Sequence, residues 1–184
     1  MKTSWQEDVK RAIEYHGHLC GGQIIGVRMA RKGLELLGLE QGTDLRDLVI
    51  FLESDRCIAD AVYVVTGVTL GRRRVKIMPY GKTAMSFLDL GSGRAFRLAV
   101  KITERAPKDA DLFAFWDKYS DEEMLDWQEV EIKLPPEEMP GKPGFVSRCD
   151  QCGDEIIDRR EVVKDGRTFC RACLDGSYYK VIKA

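Results

Sequence analysis

The sequence predicts an α+β domain followed by a small cysteine-rich module. Apolar residues recur at helical spacing before residue 40, and short runs typical of strands follow between residues 48 and 102. Two Cys-x-x-Cys pairs come after a proline-rich segment. The 184 residues, 44% hydrophobic and 32% charged, suit one globular domain plus a small module.

Two helices are predicted first. Residues 4–14 form a short amphipathic pattern, and a longer helix follows that ends near Leu37. In this second helix Gly22, Gly26 and Ala30 recur every four residues as a stripe of small side chains, which lets another backbone approach closely. We therefore expect the stripe to contribute to a homodimer.

The centre of the chain predicts strands around one further helix. LVIFL at 48–52 is short and apolar and indicates a buried strand, whereas Cys57–Val65 has its apolar residues on one helical face. GSGR at 91–94 is a plausible hairpin turn. Three further strands are predicted at Arg74–Met78, Ala84–Leu90 and Ala95–Ile102.

The segment before the module predicts its boundary. Asp109–Trp127 favours one or two helices, and Glu129–Lys133 a last strand. PPEEMPGKPG at 135–144 contains four of the six prolines and is typical of a linker. We therefore predict an α+β domain at 1–134, a linker at 135–144 and a cysteine module at 145–184.

Charge and hydropathy exclude several functional classes. The net charge of −1 gives no global attraction to nucleic acid or to a membrane surface. The start, MKTSWQEDVK, lacks the apolar core of a signal peptide, and no apolar run approaches the roughly 20 residues of a membrane span. We predict a cytoplasmic protein, in which six cysteines are metal ligands or reactive thiols rather than disulfides.

The cysteine module has the spacing of a zinc site. Its pattern, C-x2-C-x17-C-x2-C, predicts four thiolates around one structural Zn²⁺, with two redox pairs as the alternative. A hairpin is expected between the pairs, turning at Asp165-Gly166. Nearby arginines could contact nucleic acid, but as many acidic residues offset them, so this partner is disfavoured. The predicted ligands are Cys149, Cys152, Cys170 and Cys173.

A second cluster is predicted near the N-terminus. In an extended segment His16, His18 and Cys20 would share one face, and the thiol of Cys57 also begins a helix. These ligands suit zinc or another transition metal, and the helix dipoles would favour both thiolates. With a tight turn at Gly17, only His18 and Cys20 would converge and His16 would not bind the metal directly. We therefore rank His18 above His16 as a metal ligand. The alternative is one packed histidine and an ordinary buried Cys20.

Three short segments of the chain are HGHLCGGQIIG, ESDRCIADAVYVVTGVTLG and PYGKTAMSFLD. Together they resemble the signatures of the FmdE family, which takes its name from a component of formylmethanofuran dehydrogenase. The resemblance implies an α+β domain followed by a four-cysteine finger, with dimers formed through exchanged segments. It marks His16, His18, Cys20 and Cys57 as the metal or active-site cluster.

The resemblance also implies that Tyr80 and Lys82 lie near this cluster, with Lys82 a catalytic candidate beside the two thiols. A packed tyrosine and a turn lysine are the alternative. Three positions depart from the family pattern: Gly21 replaces a proline, Val68 a cysteine and Pro79 an aspartate.

Two carboxylates precede Cys57. Glu53 and Asp55 could orient the histidines, or they could cap the following helix.

Three functions remain open from the sequence. The first is an auxiliary metal-binding protein of a molybdenum or tungsten one-carbon oxidoreductase, associated with that enzyme's subunits. The second is a free-standing enzyme that uses a cysteine nucleophile or a metal-bound water. The third is a metal-sensing or ligand-sensing regulator whose finger contacts nucleic acid or a protein.

Overall fold

The protein is described from a computed structural model, which covers residues 3–142 and 144–182. The chain forms two compact units, Met1–Lys133 and Leu134–Ala184. The predicted linker 135–144 falls within the second unit. Residue 143 of this linker lies outside the described part of the chain, and so do residues 1, 2, 183 and 184 of the predicted domains. Within the described residues, no helix is both long enough and apolar enough to cross a bilayer.

The described residues of the first unit form five α-helices, a 3-10 helix at Leu70–Arg72 and a five-stranded sheet, which confirms the α+β prediction. Its helices are α1 Trp5–His16, α2 Gly21–Leu37, α3 Ile58–Thr66, α4 Leu112–Asp117 and α5 Asp121–Met124. Its strands are β1 Leu48–Leu52, β2 Val75–Ile77, β3 Ala84–Asp89, β4 Ala95–Val100 and β5 Leu125–Glu129.

The sheet has the order β2-β1-β3-β4-β5. Strands β1 and β2 are parallel and are connected through α3, whereas the other neighbouring pairs are antiparallel. The GSGR segment joins β3 to β4, as predicted, and Asp89 accepts hydrogen bonds from the backbone amides of Gly91 and Ser92. The carboxyl end of β1 leads directly into the loop that carries Cys57.

Helix α2 packs against the sheet through its small residues. A Cβ on Gly33 would lie 2.5 Å from the ring of Phe87 on β3, so only glycine allows this approach. Apolar side chains of the same core, such as Ile24, Met29 and Leu98, are completely buried. This packing fixes the position of α2 relative to the sheet.

The region after β4 differs from the prediction. The expected helical segment ends at Met124, and residues 125–129 form the last strand, so the strand predicted at Glu129–Lys133 is wrong. Two caps explain the helices: Asp111 accepts from the first turn of α4, and Ser120 forms a capping box with Glu123 at α5. Pairing of Leu98 with Trp127 then extends the sheet instead of the helix.

The described residues of the second unit form a 3-10 helix at Pro136–Glu138, two hairpins and a short α-helix. The hairpin strands and the α-helix are β6 Val146–Arg148, β7 Glu155–Ile157, β8 Val162–Lys164, β9 Arg167–Phe169 and α6 Arg171–Asp175. The β8–β9 turn is at Asp165-Gly166, as predicted, and both residues have positive φ angles of 51° and 74°. Positive φ at both central positions is typical of the tight hairpin turn that suits twisted strands.

Candidate metal centres

Two helices of the first unit begin at a cysteine. Cys20 is the N-cap residue of α2 and Cys57 is the N-cap residue of α3. Neither side chain caps its helix by a hydrogen bond to the first turn. Neither sulfur atom is therefore used to cap its own helix.

Glycines bring the two cysteines together. A Cβ on Gly22 would lie 2.9 Å from Cys57 Cβ and 3.7 Å from the sulfur atoms of both Cys20 and Cys57. One turn further along α2, a Cβ on Gly26 would lie 2.7 Å from the Cβ of Ala61, which is one turn after Cys57 on α3. The small-residue stripe thus packs α2 against α3 within the chain. Gly22 and Gly26 therefore contact α3 within one chain, and the expected homodimer stays a prediction.

His16 completes a group of three ligand atoms. It is the last residue of α1, and Gly17 ends the helix with a φ of +92°. The ligand atoms of His16, Cys20 and Cys57 all lie within 4.8 Å of one another. Ligands bound at about 2.0 to 2.3 Å from one ion have separations of this size, so the three atoms fit a single transition metal.

The imidazole of His16 is oriented by Asp60. Its Nδ1 lies 2.7 Å from the Asp60 Oδ2, whereas its Nε2 is buried and has no hydrogen-bond partner in the described chain. A carboxylate at Nδ1 favours the proton there and leaves the Nε2 lone pair free, as in most metal-bound histidines. The buried unpartnered nitrogen therefore fits a metal ligand.

Sequence reasoning missed Asp60 and considered Glu53 and Asp55 instead. The available signal was its spacing, because Asp60 lies three residues after Cys57 and shares a helix face with it. Glu53 binds Arg97 through two hydrogen bonds of 2.6 and 2.9 Å, and this partner holds the pKa of Glu53 below its usual range. Asp55 is exposed.

His18 does not belong to the group of three. Its ring packs beside that of His16, with ring centroids 4.6 Å apart, but the residue is exposed. The structure does not support the ranking of His18 above His16, because it brings His16 to the two thiols although the chain turns tightly at Gly17. The left-handed turn at Gly17 directs the chain so that His16, not His18, joins Cys20.

The thiol of Cys57 has a raised pKa although it lies at the start of a helix. Burial raises its pKa above the ordinary value of 9.0, and the neighbouring Cys20 raises it further by a hydrogen bond and by charge repulsion. These effects outweigh the hydrogen bond from the backbone, which lowers the pKa of the thiol, so in the absence of a metal the net shift is upward. A bound cation would reverse the balance, since it stabilises thiolates directly.

Lys82 lies where β1 ends. Its backbone amide donates to the Glu53 carbonyl at 3.1 Å, and its Nζ lies 5.9 Å from the centre of the Tyr80 ring. Both side chains are exposed, and no contact links either of them to His16 or to the thiols in the described chain. A catalytic role of Lys82 stays a prediction.

Gly21 and Val68, two of the positions that depart from the family pattern, both lie in tightly packed surroundings. A Cβ on Gly21 would lie 3.3 Å from Trp116 Nε1, so the first turn of α2 packs tightly on that indole. Val68 is completely buried in the core. The position therefore contributes packing rather than a third thiol.

The second unit contains a group of four thiols. The sulfur atoms of Cys149, Cys152, Cys170 and Cys173 all lie within 4.8 Å of one another. The backbone amides of Cys170 and Cys173 point at sulfur atoms, with distances of 3.3 and 3.4 Å. Such amides stabilise thiolates. The geometry suits a closed tetrahedral Zn²⁺ site.

The four thiols are unequal without a metal. Backbone amides of Cys152 and Cys170 lower the pKa of Cys149 to about 6, whereas a hydrogen bond with Cys170, burial and the other thiols raise the pKa of Cys173 to about 12. One thiolate therefore forms readily and the last proton leaves with difficulty. Zinc binding must displace that proton, so affinity depends on pH.

Comparison with known proteins identifies the family. The family model described as FmdE, molybdenum formylmethanofuran dehydrogenase operon, matches residues 15–161, which include the group of three and the first cysteine pair. The chain belongs to the FmdE family. A second model, the prokaryotic dksA/traR C4-type zinc finger, matches residues 144–179 and identifies the second unit of this FmdE protein as a zinc finger.

Two individual proteins are similar to this FmdE family member. A probable S-adenosyl-L-methionine-binding protein of Archaeoglobus fulgidus is 30% identical over 94% of the chain, but the chain spans only 53% of that relative's length. The crystal structure of a tungsten formylmethanofuran dehydrogenase FmdE-like protein from Syntrophus aciditrophicus has a TM-score of 0.63. It is 22% identical, with 97% of this chain and 96% of the other covered, which supports the fold.

Proposed function

We propose that this FmdE protein binds a transition metal, zinc in the first place, through His16, Cys20 and Cys57, in addition to the structural zinc of its finger. The observation that supports the proposal most strongly is the buried His16 Nε2, which has no partner among the described residues while Asp60 holds Nδ1. The donor set of one imidazole and two thiols suits zinc and its neighbours.

Three protein ligands leave one position of a tetrahedral ion free. A closed structural site has four protein ligands, whereas a site that binds water or a substrate keeps one position open. An exogenous ligand would therefore bind the metal directly. The exposed side chain of His18, whose ring packs beside that of His16, is the one further imidazole in the sequence.

Cobalt titration of the full chain tests the site. The protein is first loaded with zinc in the finger, and Co²⁺ is then added while thiolate-to-cobalt charge-transfer absorption is recorded. We expect wild type to bind further cobalt with two thiolate ligands. His16→Ala should lose this binding, whereas the matched variant His18→Ala should keep it. Equal behaviour of the two histidine variants would refute the assignment.

The biological role we propose is auxiliary to a molybdenum or tungsten one-carbon oxidoreductase. Support comes from the family description, which names a molybdenum formylmethanofuran dehydrogenase operon, and from the FmdE-like relative of tungsten type. Deletion of the gene should lower formylmethanofuran dehydrogenase activity in extracts, and Cys57→Ser should fail to restore it. Unchanged activity in the deletion strain would contradict the role.

A free-standing metal-dependent enzyme is the second candidate, because the open position would accept a substrate. S-adenosyl-L-methionine is the first ligand to test, since one relative carries that probable binding activity in its name. The chain spans about half of that relative, so binding there could require the other half. A shift of the cobalt spectrum on adding S-adenosyl-L-methionine would support direct binding.

We also propose that the protein is a homodimer, in line with the family resemblance. Because the small-residue stripe is used inside the chain, the interface must lie on another surface. Sedimentation equilibrium at micromolar concentration should give twice the 20.9 kDa of one chain. A monomer mass would reject the dimer.

A further inference from the structure

One buried side chain connects the two helices that carry the thiols. Gln23 lies in the first turn of α2, three residues after Cys20, and is completely buried. Its Nε2 donates to the backbone carbonyl of Cys57 with a distance of 2.7 Å. The start of α2 is thus hydrogen-bonded to the start of α3 at the residue that supplies the second sulfur.

This bond is the shorter of two that the Cys57 carbonyl accepts. The helical amide of Ala61 lies 3.4 Å away, which is long for an N–H···O bond, whereas the Gln23 amide has a short distance. The Cys57 backbone has helical angles of φ −44° and ψ −29°, and its thiol does not cap the helix. The position of Cys57 therefore depends on Gln23 more than on the first bond of its own helix.

Packing alone does not account for a glutamine at this position. Its Oε1 is buried and has no hydrogen-bond partner among the described residues. Buried polar atoms are nearly always paired, and an unpaired one destabilises the fold. Methionine has a similar length and shape and would fill the same space without this cost. The bond to Cys57 is the feature of Gln23 that methionine could not supply.

We propose that Gln23 is a positioning residue of the N-terminal metal site, which holds the Cys57 sulfur at ligand distance from the Cys20 sulfur before metal binds. The inference rests on the metal site proposed above. A ligand that is already in place loses little freedom on binding, so removing the positioning bond weakens metal affinity. The same change does not weaken the metal-free fold, because it also removes an unpaired buried oxygen.

Gln23→Met in the full chain tests this positioning role. We expect about 10- to 100-fold weaker Co²⁺ binding at the N-terminal site, the range found when outer partners of metal ligands are lost. The thermal midpoint of the metal-free first unit should be unchanged or higher. Gln41→Met is the matched control: Gln41 donates to Asp8 at 2.9 Å, so its loss should lower the midpoint and leave cobalt affinity unchanged.

The outcomes separate the positioning role from the site itself. Wild type without cobalt at the N-terminal site would refute the proposed function. Wild-type binding combined with equal affinity and an equal spectrum for Gln23→Met would refute the positioning role, as would an affinity loss matched by an equal loss of stability. If Gln23→Met does not fold, Gln23→Asn replaces it. That variant keeps the amide on a shorter side chain, and wild-type affinity there would also refute the role.

Discussion

Replacing Asp60 tests whether the carboxylate prepares His16 for metal binding. Asp60→Asn removes the charge at Nδ1 but keeps the shape of the side chain. A hydrogen bond to a charged partner contributes about 1.5–3 kcal/mol, and loss of such a partner weakens metal binding about 10- to 100-fold. Because the Asp60 side chain is 42% exposed, water attenuates its effect. We therefore expect the lower end, about tenfold, or about 1.4 kcal/mol.

The assay is competition for Co²⁺ against a chelator of known affinity, with zinc held in the finger throughout. Asp55→Asn is the control, because it removes the same charge from an exposed residue close to Cys57. We expect at most a small change there, since exposed charges beyond contact distance are screened by salt. An acidic residue at the start of a helix stabilises that helix, so either substitution could lower the stability of α3. Denaturant unfolding of the metal-free proteins measures this loss of stability.

Equal affinities for Asp60→Asn and wild type would refute the orientation of His16 by Asp60. A similar loss in Asp55→Asn and Asp60→Asn would also refute it, since general charge and not the hydrogen bond would then govern binding. A tenfold loss confined to Asp60→Asn would support the arrangement.

Further predictions concern the finger, the helix contact and pH. Cys170→Ser should release the finger zinc and unfold residues after about 145, leaving the first unit intact; full zinc content in the purified variant would contradict it. Gly26→Ala should destabilise the first unit by about 1–3 kcal/mol, since its Cβ would meet Ala61, whereas Gly71→Ala, with nothing within 4 Å, should not; denaturant unfolding measures both. Because burial raises the pKa of Cys57, cobalt must displace its proton, so affinity should rise with pH across the neutral range in a competition titration; a pH-independent constant would refute this.

Local spacing explains why the finger was predictable. Within each pair the two cysteines are separated by two residues, so one tight turn directs both sulfur atoms to the same side. The hairpin between the pairs also follows from a local signal, Asp165-Gly166, which needs positive φ at two positions. The sequence therefore predicted all four sulfur atoms of this group, which the structure places together.

The elements of the first unit were predicted where one signal dominated. LVIFL is the strand β1, and the helices α2 and α3 begin beside Cys20 and Cys57. The one or two helices predicted over Asp109–Trp127 are present as α4 and α5, but the prediction failed after Met124, where β5 begins. There the pairing of β5 with β4, a contact about 30 residues back along the chain, overrides local propensity.

In the N-terminal site, too, some residues were predictable from the sequence and others depended on the packing of the helices. Two histidines and two cysteines at the ends of predicted elements were sufficient to propose a metal site from the sequence. The sequence was not sufficient to choose between His16 and His18, because that choice depends on the length of α1 and on the turn at Gly17. Asp60 approaches His16 across 44 residues. That contact depends on how α1 packs against α3, and pairwise packing of this kind leaves no local pattern in the sequence.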